Sequence, residues 1–296
     1  MTGNPGSGAG AVDRREAIAA IGRELGPEVL KQCMALFGPE QRALARSERR
    51  VADLPYGTHP RQCLDLYLPE VSPPGGAPVL LFVHGGGFVR GEKHSTEHPF
   101  GAHVGRFAAR HGFVGAVMGY RLAPEWLWPS GGDDVTAAVD WLVTHVAAHG
   151  GDPSRIVLLG TSAGAVHAAT SLKRAPRNAS VRAVALLSGL FGATPHERQD
   201  QAYFGPAAWE ELATLDALAA AEQPLFLACA EFDPPRFQRE WLGAMQRRLE
   251  TKGSLPQGRV VCGHNHYTLA MHLGSSDSTF GEELIGFALD ATGLQR

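Results

Sequence analysis

The chain is poor in cysteine, has no long apolar stretch and carries no strong excess of one charge. Its four cysteines, Cys33, Cys63, Cys229 and Cys262, are spread over 296 residues. None forms a Cys-x-x-Cys pair, and four in a chain this long make no disulfide framework. No apolar run reaches the roughly 18 residues that a membrane-spanning helix needs, so no membrane segment is expected. Met1 to Ala11 lack a basic start followed by an apolar block, so no signal peptide is expected either. Lys plus Arg number 27 and Asp plus Glu 30, giving a net charge of −3. That argues against nucleic acid as a partner, because binding phosphate needs a basic surface. There is no internal repeat and no charge run. The expectation is a cytoplasmic protein with reduced thiols, in which Cys229 and Cys262 act as small buried hydrophobes.

What is present is the material of a large core. Hydrophobic residues make up 44% of the chain, and its 296 residues allow one large domain or two ordinary ones. Residues 1–11 are rich in glycine and read as a flexible tail. Gly6, Gly8 and Gly10 follow no strand, so they are not a nucleotide loop. Residues 13–47 repeat apolar side chains at three- and four-residue steps, a helical pattern that Pro27 divides. Leu64, Leu66 and Leu68 alternate with Asp65 and Tyr67, a strand with one wet face. Residues 79–83, 113–118 and 156–159 are short apolar runs, as in strands buried on both faces, and 181–187, 225–229 and 259–262 read as further strands. Helical patterns lie between and after them, at 100–111, 133–148, 163–172, 236–251 and 281–291. Strands alternating with helices predict an α/β fold with a mostly parallel sheet covered on both faces. Ligands on such sheets bind beyond the carboxyl ends of the strands. The loops after each strand are therefore where chemistry is expected.

Four of those loops carry it. Gly160-Thr161-Ser162-Ala163-Gly164 follows a buried strand and opens an alanine-rich helix, the context of a nucleophile elbow. Such a turn lifts the Ser162 hydroxyl above the sheet edge, where the helix start favours developing negative charge. His84-Gly85-Gly86-Gly87-Phe88 follows the strand at 79–83. Its three glycines leave backbone N–H groups unobstructed for an oxyanion, with Gly86, Gly87 and Ala163 as the expected donors and Gly85 as a further candidate. His84 reads as a residue that fixes the loop. With serine first, the acid and the base are expected after later strands. The first of these loops offers Glu231 and Asp233. Asp233 precedes a proline and lies further from the strand, which favours it as the acid. The second offers His264 and His266, two apart and pointing in opposite directions if extended. His145, His149 and His167 read as ordinary helix-surface residues. No metal site is expected, since the histidine pairs lack a further ligand set at a recognised spacing.

Taken together, these pieces resemble the hormone-sensitive-lipase-like group of α/β-hydrolases, within it the bacterial carboxylesterases and arylformamidase-like enzymes. The shared residues are the His84–Phe88 loop, Tyr120-Arg121-Leu122-Ala123-Pro124-Glu125, Gly151-Asp152-Pro153-Ser154-Arg155, Gly160–Gly164, Glu231-Phe232-Asp233-Pro234 and Asn265-His266-Tyr267. The resemblance implies Ser162 as nucleophile, Asp233 as acid and His266, rather than His264, as base. It implies that Arg121 and Glu125 tie loops near the site. The Asp133-Asp134 pair looks like a helix-capping and loop-tethering feature. Thr161 stands where many relatives carry an acidic residue, and Pro235-Arg236 follow Asp233-Pro234 where many carry leucine and an acidic residue. Both departures bear on substrate preference.

The expected function is that of a serine carboxylesterase acting on small to medium acyl esters, aryl esters among them, through an acyl-enzyme and without a cofactor. Residues 13–50 and 190–223 are the candidate cap segments on a single domain spanning 12–296. They carry Phe37, Phe191, Tyr203, Phe204 and Trp209. Phe88, Trp126 and Tyr267 are the expected substrate-binding residues, with Trp128 a further candidate wall. The expected partner is a small-molecule ester, and a homodimer through an edge strand or a terminal helix is compatible with the sequence. The rival readings are an arylformamidase or amidase with the same triad, a dehydratase, and a hydrolase-fold protein that only binds.

Overall fold

The apolar runs between residues 79 and 229 become the inner strands of one sheet, flanked by helices that bury both faces, and the run at 259–262 becomes an edge strand. A computed structural model describes residues 8–174, 179–205, 212–278 and 280–294. Helices α1 (Gly8–Ile21) and α2 (Pro27–Ala43) come first. Then follow β1 (Arg50–Pro55), β2 (Cys63–Tyr67), β3 (Ala77–Val83), α3 (Ala102–Arg110), β4 (Val114–Met118) and α4 (Ser130–His145). The second half runs β5 (Gly151–Thr161), α5 (Ala163–Arg174), β6 (Val181–Leu187), α6 (Gln201–Phe204), α7 (Leu215–Ala220) and β7 (Leu225–Phe232). It closes with α8 (Pro235–Lys252), β8 (Gln257–Asn265), α9 (Thr268–Met271) and α10 (Gly281–Thr292).

Among the described residues eight strands form one sheet in the order β1-β2-β4-β3-β5-β6-β7-β8. β2 is antiparallel to both of its neighbours, and every other pairing is parallel. The parallel strands alternate between two cores. Val79, Leu81 and Val83 of β3 face Val135 and Leu142 of α4 and Leu172 of α5. Leu80 and Phe82 face Phe107 of α3 and Ile285 of α10. This is the mostly parallel α/β sheet expected from the sequence, and it brings the ends of β3, β5, β6, β7 and β8 to one edge.

Several local readings change. β1 was not anticipated, because Arg50, Asp53 and Leu54 show no clean alternation; it forms by pairing with β2 around a register shift. β5 starts at Gly151, since Ala77 pairs with Gly151 across an irregularity that admits Pro153. Helix α1 begins at Gly8, so the expected flexible tail meets helical backbone there. Residues 1–7 lie outside the described residues, as does Trp209. Pro27 opens α2 after the break at Gly22–Gly26, as predicted. Cys229 is buried, but Cys262 is exposed, because it points to the open side of the edge strand β8. No helix among the described residues is long and apolar enough to cross a membrane.

Candidate active site

Ser162 sits between the end of β5 and the start of α5 with φ +53°. Gly160 and Gly164 are fixed by packing: a Cβ at Gly160 would lie 2.5 Å from the Gly164 carbonyl, and one at Gly164 would collide with the Val83 carbonyl. Close approach of α5 to β3 and β5 therefore accounts for both glycines. It does not account for a serine in the left-handed region, where glycine would be less strained. That residue's side chain is what the turn holds in place.

Asp233 follows β7 and His266 follows β8, and the structure brings both to Ser162. Nδ1 of His266 lies 2.7 Å from Oδ1 of Asp233, and its Nε2 lies 2.9 Å from Oγ of Ser162. A carboxylate at Nδ1 favours the tautomer protonated there, which turns the Nε2 lone pair towards the Ser162 hydroxyl. Asp233 is fully buried and His266 is 6% exposed. Oδ2 of Asp233 accepts from the Ser188 hydroxyl at 2.5 Å and from the Ala230 N–H at 2.7 Å. Burial, with the Asp233 carboxylate nearby, pushes the Cys229 thiol up to about 12, so it stays protonated.

The competing residues of the two loops go elsewhere. Glu231 accepts the Gly263 N–H at 2.7 Å and meets Arg15 at 3.4 Å, which ties the β7 loop to β8 and to α1. His264 turns away from Ser162, towards Thr268 at 3.2 Å and Asp277 at 3.2 Å, and stacks on His272. Residues 264 and 266 thus face opposite sides, as alternation in an extended segment requires.

The glycine loop lies directly against the serine: a Cβ at Gly85 would stand 3.2 Å from Cβ of Ser162. Gly86, Gly87 and Phe88 all have positive φ, at +137°, +60° and +70°. The carbonyl of Gly86 is taken by the Arg90 N–H at 3.2 Å. Among the described residues no acceptor takes the N–H of Gly86 or Gly87. The Ala163 N–H heads α5, where no intrahelical acceptor exists. These are donors suited to an oxyanion. His84 braces the loop: its ring stacks on Tyr120 at 4.3 Å and Nδ1 bonds the Gly85 carbonyl at 2.7 Å. Burial lowers its pKa to about 4, which keeps the ring neutral.

An apolar cluster joins these parts. Phe88 stacks face to face on Tyr203 at 4.3 Å and packs with Phe204, Leu190, Leu212, Ala163 and Val166. Phe237 belongs to the same cluster and covers the His266 ring at 4.3 Å. Trp128 packs against the cluster, whereas Trp126 lies on Arg121 at 4.4 Å and on His59. Tyr267 sets its ring edge towards His266, but its hydroxyl accepts the Gly26 N–H at 3.0 Å. Tyr267 thereby holds the N-terminal segment. Asn265 bonds the Gly22 carbonyl, and Arg23 donates to the Asp233 carbonyl at 3.0 Å. The α1–α2 turn thus grips both late loops at once.

Other expectations need correction. Asp134 is fully buried and receives the Arg121 N–H and guanidinium and the Gln62 amide, so it tethers loops. It caps nothing: the start of α4 carries no side-chain cap. Asp133 pairs with Arg174. Glu125 is exposed, and no hydrogen bond or ion pair joins its side chain to another loop among the described residues. His167 is fully buried, under Phe88 and beside Tyr120 and Tyr203, because α5 is enclosed on every side.

A family model for the alpha/beta hydrolase fold matches residues 80–238 of this chain, more than half of it. The chain belongs to that family. Among curated relatives, this α/β-hydrolase is 36% identical over 143 residues to a probable isoprenylcysteine alpha-carbonyl methylesterase of Oryza sativa subsp. japonica. That match covers 46% of this chain and 32% of the relative. It is 35% identical over 114 residues to a probable carboxylic ester hydrolase of Mycobacterium tuberculosis, covering 38% and 26%. The matches thus span about a third or less of those relatives' length. Among solved structures, a bacterial heroin esterase superposes with a TM-score of 0.70 at 23% identity, covering 95% of this chain and 97% of that one. At that identity the likeness speaks to the fold.

Sequence reasoning missed Ser188, Arg23, Phe237 and Glu240. Glu240 is fully buried on α8 and accepts the N–H groups of Phe191, Gly192, Ala193 and Thr194. It pins the loop that leaves β6.

Proposed function

We propose that this α/β-hydrolase is a serine carboxylesterase in which Ser162, His266 and Asp233 form the catalytic triad. The observation that carries the reading is the chain of contacts from Asp233 through His266 to Ser162, at 2.7 and 2.9 Å, beside an unobstructed glycine loop. Ser162 Oγ attacks the ester carbonyl while Nε2 of His266 takes its proton. The carbonyl oxygen becomes negative facing the N–H groups of Gly86, Gly87 and Ala163. His266 then gives that proton to the departing alcohol, and an acyl-enzyme remains on Ser162. Water attacks the acyl group, its proton going to His266, and the acid leaves as Ser162 regains its own. This acyl transfer needs only these side chains and water.

Small to medium acyl esters fit the surroundings best. Phe88, Tyr203, Phe204 and Phe237 are each less than 10% exposed and pack around Ala163 and His266. The described parts of segments 13–50 and 190–223 are the proposed cap: the first grips the two late loops and the second brings Tyr203 and Phe204. The names of the relatives, a methylesterase and a carboxylic ester hydrolase, agree with an ester substrate.

The test is hydrolysis of p-nitrophenyl acetate, butyrate and octanoate by the wild type and by Ser162→Ala. The expected result is wild-type turnover favouring the short chains, lowered about 10⁶-fold in a folded Ser162→Ala. Retained activity in the variant would overturn the triad. An N-formyl arylamide cleaved faster than every ester would turn the reading to an amidase.

A further inference from the structure

We infer that Ser188 is a positioning residue for the acid of the proposed triad, and this inference rests on that triad. Among the described residues only four that are not glycine have positive φ: Asp53, Phe88, Ser162 and Ser188. Three of the four stand at the site. Phe88 follows the glycine loop, Ser162 holds the attacking oxygen, and Ser188, at φ +48°, touches Asp233. A serine held in the left-handed region is strained, and such strain persists where neighbours enforce it.

The sheet provides that enforcement. Thr161 pairs with Leu187, so Ser162 and Ser188 are the residues just beyond paired positions on β5 and β6. The Ser162 N–H donates to the Leu187 carbonyl at 2.8 Å, and the Ser188 N–H donates to the Ala228 carbonyl of β7 at 2.9 Å. The two serines therefore turn side by side at the same edge. Glu240 holds the backbone that follows, from Phe191 to Thr194, so the turn cannot relax away.

Ser188 is 2% exposed, and its hydroxyl donates to Oδ2 of Asp233 at 2.5 Å. The Ala230 N–H takes the same oxygen at 2.7 Å. Two donors on Oδ2 turn Oδ1 towards Nδ1 of His266 and keep it there. Without the hydroxyl, Oδ2 keeps one donor, and the carboxylate can swing about its Cβ–Cγ bond. Ser188 touches no reacting atom; it acts through Asp233.

Ser188→Gly separates this role from a structural one. Glycine accepts φ +48° without strain, so the variant is expected to unfold in urea at a midpoint equal to or above that of the wild type. Its kcat on p-nitrophenyl butyrate is expected to fall about tenfold to a hundredfold, as for loss of a hydrogen bond to a charge. Its KM should stay within about twofold, since no substrate contact is removed. Ser188→Ala should show the same kcat loss at a lower urea midpoint. In an Asp233→Asn background, Ser188→Gly should add less than about twofold, because the carboxylate it positions is gone. Wild-type kcat in Ser188→Gly, a kcat loss matched by a loss of folded protein, or full additivity with Asp233→Asn would each overturn the inference. Wild-type activity in Ser162→Ala or Asp233→Asn would overturn the triad itself, a separate failure read in the same assay.

Discussion

Two fully buried carboxylates, at opposite ends of the sheet, are stabilised in different ways. Asp65 on β2, near the β1 edge, accepts from the Arg50 guanidinium at 2.7 Å and the Lys93 ammonium at 2.7 Å. Asp233, beyond β7, receives a hydroxyl, a backbone N–H and an imidazole, and no cation meets its side chain among the described residues. At the β1 edge the charge is cancelled and the result is a rigid tie. At the site the charge is held by dipoles and remains available to the histidine that, in the proposed mechanism, becomes positive during turnover. Glu240 sharpens the contrast. It too is held by neutral donors, but all are backbone N–H groups and the Thr194 hydroxyl, none able to take up a proton. What sets the proposed catalytic carboxylate apart is the imidazole on its Oδ1.

Breaking the comparison at the site end should give the largest effect. Asp233→Asn is expected to lower kcat about 10⁴-fold while the fold survives, because the amide favours the wrong histidine tautomer; kinetics on a short-chain ester together with circular dichroism would check it. At the other end the effect should reverse in kind. Asp65→Ala should cost about 3 kcal/mol of stability in a urea titration, leaving Arg50 and Lys93 facing each other, while kcat of the folded protein stays near the wild-type value.

A third expectation concerns charge made by acid. Burial lowers the pKa of His84 to about 4, and of His103, His167 and His272 to about 3 each. The unfolded chain takes up these protons near pH 6.5, the ordinary value, while the folded chain does not. Their contribution is therefore intact above pH 6.5 and is lost progressively as the pH falls towards 4. Melting curves between pH 7 and 4 should show a steep fall, and a flat profile would contradict the buried neutral state. The smallest effect is expected from Arg23→Ala, which removes one bond to the Asp233 carbonyl: about a threefold loss of kcat, measured on the same ester.

Much of the fold was legible because the inner parallel strands, such as β3 and β4, are buried on both faces and therefore read as unbroken apolar runs. β1 escaped because its side chains are half-exposed and its pairing is irregular. Of the site, the elbow and the glycine loop were legible as local signals, since both depend on glycine spacing next to a strand. The choice between His264 and His266 was not, because alternation says only that they diverge; it took the resemblance to favour one. Asp134 was misread as a cap because an acidic pair at a helix start looks the same whether it meets N–H groups or an arginine 13 residues away. Ser188 left a faint trace, a polar residue ending the apolar run of β6. Glu240 left none: in a helix rich in charge, a buried glutamate looks like its solvated neighbours.

The most direct test of the central claim is labelling by a fluorophosphonate, followed by peptide mapping. The account predicts a single adduct on Ser162, formed quickly by the wild type, much more slowly by Asp233→Asn, and not at all by Ser162→Ala. A folded wild type that takes no label, or takes it on another residue, would contradict the account.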